Sequence, residues 1–385
     1  MEKYLILRKS SVLSGVFTRS MAGTPGMGAL AVERVPSHAL SELRRDPDVL
    51  AVTPPMAISL INPMEQLTSS VVTANAWGIA SVGAGVSPFN GEGVVVAVLD
   101  TGIETSHPAF IGMDINERDF TREGNGDKNG HGTHCAGTIF GRDINNQRIG
   151  VARGVSRALI GKVIGQNSGS SQAIFEALQW AMREQANVIS MSIGFDFPGE
   201  VQKKVDNGWP ADLATSQALE TYRGNIRLFD ALMGFFKAQS AFDAAPLVIA
   251  AAGNESRRSV NRQYKIAASI PAAADGVLSV AAVQPLGNQY RIADFSNSFA
   301  LLSAPGVNIL SAWLGGSLKA IDGTSMACPH VAGVAALWWQ FLQQKNIPNR
   351  ASSVAAHLTA HARSDCFMPG FDASDFGHGL VTCPH

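Results

Sequence analysis

The sequence predicts a three-layer α/β domain built on a parallel sheet, preceded by a small α+β module. Near-continuous apolar runs rich in β-branched residues recur at 94–99, 158–163, 188–191, 247–252 and 277–283. Such runs mark strands buried on both faces, the signature of a parallel sheet. Helical stretches alternate with them, as at 171–184, where Ile174, Leu178 and Ala181 recur at helix spacing, and alternating β and α elements pack as three layers. Pro54, Pro55 and Pro63 interrupt any continuous element and set a boundary near 63–75. Ahead of it, 4–7, 29–32 and 49–52 read as strands and 37–45 as a helix opened by a serine cap. The expected organisation is a module over 1–63, a linker leading into the second unit over 64–91, and a large domain over 92–385. No internal repeat or low-complexity tract interrupts this order.

Composition narrows the function classes. The 385 residues are 46% hydrophobic, ample for a large core. Thirty Lys and Arg against 31 Asp and Glu give a formal charge of -1, so no broad field exists to hold phosphate backbones or anionic lipid. Neither nucleic acid nor a membrane is an expected partner. The apolar runs 247–252 and 331–339 fall far short of the roughly 20 residues a membrane helix needs. The apolar stretch 4–7 is stopped by Arg8 and Lys9, too soon for an export signal, which predicts a cytoplasmic protein. Secretion is the alternative if Met1 is not the natural start. Four cysteines, Cys135, Cys328, Cys366 and Cys383, are too few for a disulfide scaffold and are expected to be reduced.

Three stretches carry chemistry. The run VVVAVLD ends in Asp100, which places a carboxylate at the carboxyl edge of the sheet, where such folds bind ligands. Aspartate after a strand is also a common turn former or cap. In NGHGTHCAGT (129–138), glycines flank His131 at the start of a helical pattern. A helix N-terminus disfavours the cationic imidazole, which suits a general base. His131, His134 and Cys135 also share one helical face, so a metal site is the rival reading. The glycines that open His131 to a substrate, with His134 turned inward, argue against it. In DGTSMACPHVAG (322–333), a Gly-Thr turn feeds Ser325 into an apolar helix, where free backbone N–H groups suit an oxyanion. Serine is equally a good helix cap. Pro329, tolerated in a first turn, places the helix start near Ser325.

Together these stretches supply a carboxylate, a base and a nucleophile in the order Asp, His, Ser. With VVAVLDTGIETSHPAF (95–110), NGHGTHCAGT, AAAGNES (250–256) and GTSMACPHVAG (323–333), residues 92–383 resemble the subtilisin-like serine proteases, or subtilases. The resemblance implies that Ser325 attacks the peptide carbonyl, His131 shuttles the proton and Asp100 holds the imidazole. It also implies that Asn254 donates its amide to the oxyanion beside the Ser325 N–H. Substrate would bind as an added strand between Ser168, Gly169 and Ser170 on one side and Ser192, Ile193 and Gly194 on the other. Ala251 to Gly253 would wall the first specificity pocket, with Ser269 near its base and Glu255 at its rim. Pro271 stands where the family commonly has a cis proline.

Residues 1 to about 63 resemble the inhibitory propeptide of the family, chiefly through SHALSELRRDPDV and the strand after it. That implies a self-inhibited zymogen whose own N-terminal module covers the cleft, with residues 63–70 entering it as a strand. The stretch between Gly194 and Asn254 is longer than the resemblance implies. There Leu219, Tyr222, Ile226, Phe229, Met233 and Phe236 recur at spacings of three and four, an amphipathic helix within an insertion at about 196–245. Ala109 replaces a calcium-ligating aspartate common in the family, while Asp143, Asn145 and Asn146 remain, so the sequence leaves structural calcium doubtful and requires no cofactor. The expected function is a serine endopeptidase acting on proteins or peptides. The alternatives are a metal-dependent hydrolase using His131, His134 and Cys135, and a protease-like binding protein, for which a broken triad would be expected.

Overall fold

The computed structural model describes residues 2–9, 29–61, 77–166, 169–239, 245–348 and 350–385. Its central sheet has eight strands, in the order Gln289–Ile292, Val277–Leu286, Leu247–Ala251, Val188–Met191, Val95–Asp100, Arg157–Lys162 and Asp114–Asp119, with Leu302–Pro305 also beside Val277–Leu286. Every pairing is parallel except the hairpin of Val277–Leu286 with Gln289–Ile292. The five apolar runs of the sequence are inner strands of this sheet.

Alternate side chains of each strand enter different cores. Val96 and Val98 join Cys135, Ile139, Val331 and Leu337 from the helices His131–Phe140 and Thr324–Gln344. Ala97 and Leu99 join Ile174, Leu178, Phe229 and Leu232 from the helices Ser171–Arg183 and Ala211–Gln239. Each fully buried Val or Leu contributes roughly 1.5–3 kcal/mol, so helices on both faces of the sheet are held by the same strands. The carboxyl ends of those strands deliver Asp100, Ser192 and the segment 252–254 to one edge. No helix among the described residues is long and apolar enough to cross a membrane.

The N-terminal module is a three-stranded antiparallel sheet in the order Ala29–Val35, Glu2–Arg8, Val49–Thr53. Its two faces are used differently. Tyr4, Ile6 and Val35 pack on the module's own Leu40 and Leu43, whereas Leu5, Leu7 and Ala51 join the cluster formed by the helices Ser171–Arg183 and Ala211–Gln239. The helix expected over 37–45 is shorter: a 3-10 turn Ser37–Ala39 leads into Leu40–Leu43, and the residue at its cap is Ala39, not a serine. Pro47 disfavours helical backbone at Asp46, which stops the helix early.

The insertion forms two helices, Phe197–Asp206 and Ala211–Gln239, where one was expected. Asp196 caps the first by accepting from Gly199 N, and Gly208 (φ +86°) with Pro210 separates the pair. Phe229, Met233 and Phe236 of the predicted stripe are buried, but Leu219 is 45% exposed, and Leu228 and Leu232 complete the buried face. The reason lies in the first half of the long helix, which faces the module through small and polar residues. A Cβ at Gly224 would lie 2.3 Å from Thr53 Oγ1, so glycine alone allows this approach. Asn225 Nδ2 donates to Pro54 O at 3.1 Å and to Thr221 O at 2.9 Å.

The segment after Asn254 is anchored from the far end of the chain. Arg258 and Asp375 form an ion pair at 3.0 Å, with side chains only 4% and 7% exposed, and Lys265 reaches the same carboxylate at 3.0 Å. Removing one partner of a buried pair strands the other charge. Asp375→Ala, in a Ser325→Ala background that avoids self-digestion, should therefore lose about 3–5 kcal/mol in urea unfolding. A loss within 0.5 kcal/mol, typical of a surface substitution, would contradict the role given to this pair.

Candidate active site

Asp100 and His131 meet at the carboxyl edge of the sheet, His131 Nδ1 lying 2.7 Å from Asp100 Oδ1 with both side chains fully buried. Thr101 N donates to the same carboxylate oxygen at 2.8 Å. Burial pushes the imidazole pKa down, but the charge and hydrogen bond of Asp100, aided by the charge of Asp127, raise it above its ordinary 6.5 overall. This reverses the expectation drawn from the helix N-terminus. A helix dipole is worth about 0.3–1 kcal/mol, whereas a hydrogen bond to a charged group is worth about 1.5–3. Nε2 is buried without a hydrogen-bond partner among the described residues.

A residue passed over in the sequence fixes this geometry. Asp127 Oδ1 accepts from Thr101 Oγ1 and Gly130 N, both at 2.9 Å, and Oδ2 accepts from Thr133 N at 2.9 Å and Thr133 Oγ1 at 2.7 Å. It clamps the turn after Asp100 to the helix that begins at His131. The signal was present: an Asp just before a Gly-flanked helix start is a turn-forming and capping residue.

Ser325 is the second residue of the helix Thr324–Gln344. Pro329 sits at the sixth position of that helix, beyond the first turn in which it was expected. Having no N–H, it leaves the carbonyl of Ser325 without its usual helical partner. Ser192 Oγ donates to that carbonyl at 3.0 Å and Cys135 Sγ at 3.4 Å. The helix therefore continues past a proline because side chains from two other elements satisfy the orphaned acceptor. Asn254 is oriented just as firmly, its Oδ1 accepting from Thr324 N and Thr324 Oγ1, both at 2.9 Å. Its Nδ2 lies beside Gly323, 3.1 Å from where a Cβ would stand.

The strand in the cleft is Ala57–Leu60. It pairs antiparallel with Ile193–Phe195, in the register Ile193↔Leu60, Gly194↔Ser59 and Phe195↔Ile58, and with Gly169–Ser170 on its other side. Gly169, Ser170, Ile193 and Gly194 thus flank an extended segment as expected, while Ser168 lies outside the described residues. The expected strand at 63–70 also lies outside them. Pro54 and Pro55 end the module sheet, and Ser171 pins Met56, its Oγ accepting from Met56 N at 3.0 Å and its N–H donating to Met56 O at 2.9 Å, so the chain turns extended at Ala57.

The pocket residues form a connected wall. Ala251 ends its strand, Ser269 N donates to Ala252 O at 3.1 Å, and Gly253 N donates to Thr324 Oγ1 at 3.1 Å. Glu255 is exposed and accepts from Asn297 Nδ2 at 2.6 Å. The Ile270–Pro271 peptide is cis.

The metal reading does not survive this geometry. His134 Nε2 donates to Ile309 O at 3.0 Å and Lys319 O at 3.1 Å, tying down the hairpin of Ile309–Trp313 and Ser317–Ile321. Burial and the neighbouring His131 hold its pKa at about 3. Asp100, His131 and Cys135 do converge, their ligand atoms lying within 4.8 Å of one another. Burial, then the charge of Asp100, pushes the Cys135 pKa well up, and its Sγ is already engaged with Ser325 O at 3.4 Å. The loop considered for calcium is spent on protein contacts: Asp143 pairs with Arg153 at 2.7 Å, and Ala109 O accepts from Arg142 N at 2.9 Å. All four cysteines are free thiols.

A buried Asp–His pair and a helix-borne serine, on the carboxyl edge of a parallel sheet, supply the carboxylate, imidazole and hydroxyl of the subtilisin arrangement in its chain order. Comparison with known proteins agrees, since residues 91–379 match the subtilase family. An alkaline proteinase of Hapsidospora chrysogena is 30% identical over 346 residues, covering 84% of this chain and 73% of its own length. Subtilisin DY of Bacillus licheniformis is 33% identical over 275 residues, covering 70% and 86% respectively. Among solved structures, fervidolysin from Fervidobacterium pennivorans shares the fold with a TM-score of 0.63 at 24% identity, over 87% of this chain. The chain spans about half of fervidolysin, 51% of its length. The chain belongs to the subtilase family of serine peptidases.

The pairing of His131 with Asp100 is open to direct measurement. An NMR titration should place His131 above 6.5, and Asp100→Asn should bring it down, because burial then acts without the opposing charge. A His131 that titrates below 6.5 with Asp100 intact would contradict the pairing.

Proposed function

We propose that this subtilase is a serine endopeptidase made as a self-inhibited zymogen, with Ser325 as nucleophile, His131 as general base and Asp100 as the carboxylate that orients it. The observation that carries this reading is the approach of a peptide carbonyl to the serine. Ser325 Oγ donates to Ile61 O at 3.3 Å, while Ile58 to Leu60 pair with Ile193–Phe195 and Ala57 and Ile58 pair with Gly169–Ser170 on the other side. A peptide presented in this way is what the cleft of an endopeptidase must accept.

In the reaction, Ser325 Oγ attacks the carbonyl carbon as His131 Nε2 takes its proton. Asp100, bonded to Nδ1, keeps the correct tautomer and stabilises the imidazolium. The tetrahedral oxyanion is met by the Ser325 N–H and the Asn254 side-chain amide, whose Oδ1 is already committed to Thr324. His131 then returns the proton to the leaving amine, and water hydrolyses the acyl-enzyme by the same route.

The module supplies the inhibition. Being part of the same chain, its strand is offered to the cleft at high effective concentration. The contacts of Thr53 and Pro54 with Asn225, and of Met56 with Ser171, hold it there. A parallel sheet also folds slowly through non-local contacts, so a tethered module that templates one face has a role in folding as well.

Ser325→Ala should abolish casein hydrolysis and fluorophosphonate labelling while leaving the fold intact by circular dichroism; a variant that still labels and cleaves would overturn the assignment. Asn254→Leu should lower kcat by about 10²–10³ with little change in KM, the size found for the matching donor in subtilisin itself, a member of this family. A change confined to KM would assign Asn254 to ground-state binding. Because catalysis needs neutral His131 and its pKa is raised, kcat/KM should increase with pH through a midpoint above 6.5 and be indifferent to a zinc chelator. Inhibition by the chelator that zinc reverses would refute this account of the chemistry.

A further inference from the structure

We infer that Lys162 is a positioning residue of the active site: its buried ammonium fixes the peptide that carries Asp127, and through Asp127 it sets the geometry of Asp100 and His131. The inference rests on the reading of Asp100 and His131 as orienting carboxylate and base, and extends it to a residue that the chemistry itself does not use.

Taking an ammonium out of water is costly, so a lysine is seldom fully buried unless its charge is used. Lys162 is only 2% exposed, and its Nζ donates to a backbone carbonyl, Gly126 O, at 3.0 Å. The sheet sets its place. As the last residue of its strand it stands in register with Asp100 on one side and Asp119 on the other, at the carboxyl edge. The acidic chain leading from Asp114–Asp119 to His131 feels its charge. Burial holds the Glu117 carboxyl above its usual range, against bonds from Gly126 and Ile103 and against the charge of Lys162. Burial also opposes ionisation of Asp119, but bonds from Thr121 and Gly124, with the charge of Lys162, bring that carboxyl below its usual range. The ammonium thus serves several carboxylates at a distance and spends its direct bond on the backbone.

That bond falls on a peptide next to the site. Gly126 N donates to Glu117 Oε1 at 2.8 Å, so both polar groups of Gly126 are held. A Cβ at Gly102 (φ +108°) would lie 2.6 Å from Gly126 O and 3.2 Å from Asp127 N, so this peptide packs directly on the turn after Asp100. The next residue, Asp127, joins Thr101 to Gly130 and Thr133, and its charge is among the causes that raise the His131 pKa. Without the ammonium, Gly126 O loses its anchor and Asp127 its fixed position. A misplacement of about 1 Å away from the chemistry can cost about 10²-fold in rate. Lys162 also borders the hollow shared with Ser59, Leu60 and Thr101, where an acidic substrate side chain could be met. Its burial and its bond to Gly126 argue against that role, since the ammonium would have to leave its protein partner to reach substrate.

The test compares Lys162→Met, Lys162→Arg, Asp127→Asn and the double variant Lys162→Met/Asp127→Asn. Lys162→Gln takes the place of Lys162→Met if the latter does not fold, and slow amide exchange at Val95–Asp100 is required of every variant compared. His131, which faces Asp100, Asp127, His134 and Cys135, is titrated by NMR in the full chain carrying Ser325→Ala. If Lys162 acts by placing Asp127, its loss should lower the His131 midpoint, as should Asp127→Asn, and the double variant should fall no further. If it acted by its own charge alone, losing a cation would raise the midpoint. With Ser325 intact, Lys162→Met should lower kcat on a peptide p-nitroanilide by at least about tenfold with KM within about twofold, and adding Asp127→Asn should cost little more than Asp127→Asn alone. Lys162→Arg, which keeps the donor and the charge, should recover most of the loss. A His131 midpoint that rises or stays in place, losses that multiply in the double variant, or an effect confined to KM, which would make Lys162 a substrate contact, would overturn this inference alone. A wild-type His131 indifferent to Asp100→Asn, or cleavage that persists in Ser325→Ala, would overturn the reading beneath it.

Discussion

The constraint on which the rest of the structure depends is the pairing of the short strand Ala57–Leu60 with two edges of the catalytic domain. It fixes three things together. It sets the register that brings the Ile61 carbonyl to Ser325, it lies between the two edges proposed for substrate, and it joins the module to the domain next to the site. The module alone is small and owns few buried residues, Tyr4, Ile6 and Val35 among those described. Its other face is completed only by the helices beneath it, so docking and folding of the module are coupled. The insertion extends this support. Gly224 and Asn225, on the half of the long helix nearest the module, meet Thr53 and Pro54 directly upstream of the cleft strand.

The polar groups of the site show how the chain tolerates local rules being broken. A proline inside a helix ordinarily costs a hydrogen bond and breaks the helix. Here the acceptor it orphans belongs to Ser325, and Ser192 and Cys135 satisfy it from two different elements. The backbone of Ser325 is thereby tied to the strand end on one side and to the histidine helix on the other. Asp127 does the same between the Asp100 turn and His131. Positions far apart in sequence are held to hydrogen-bond tolerances by side chains that take no part in the chemistry.

Much of this was legible in the sequence because it was local. The inner strands read as unbroken apolar runs, since both faces of Val95–Asp100 and Leu247–Ala251 are buried. The triad candidates stood in recognisable motifs at strand and helix ends. What could not be read were outcomes decided by distant partners. The rise in the His131 pKa depends on Asp100, which is 31 residues away and overrides the helix terminus. Leu219 fits a helical stripe, yet the face that is buried was decided by the close approach of Thr53 to Gly224. The strand Ala57–Leu60 was not anticipated, because the bonds between Met56 and Ser171 that start it are invisible to local pattern.

The central claim, that this peptidase occupies its own cleft with residues 57–61, is tested most directly by hydrogen exchange. Amides of the strand Ala57–Leu60 and of the edges Gly169–Ser170 and Ile193–Phe195 would be followed in Ser325→Ala, before and after displacement of the module by a peptide of the same sequence as 57–61 in excess. The account predicts slow exchange at Ala57–Leu60 in the intact chain and a large acceleration there once the peptide takes its place, with the central strand Val95–Asp100 unchanged. Fast exchange at Ala57–Leu60 from the outset, with the two edges equally unprotected, would contradict it.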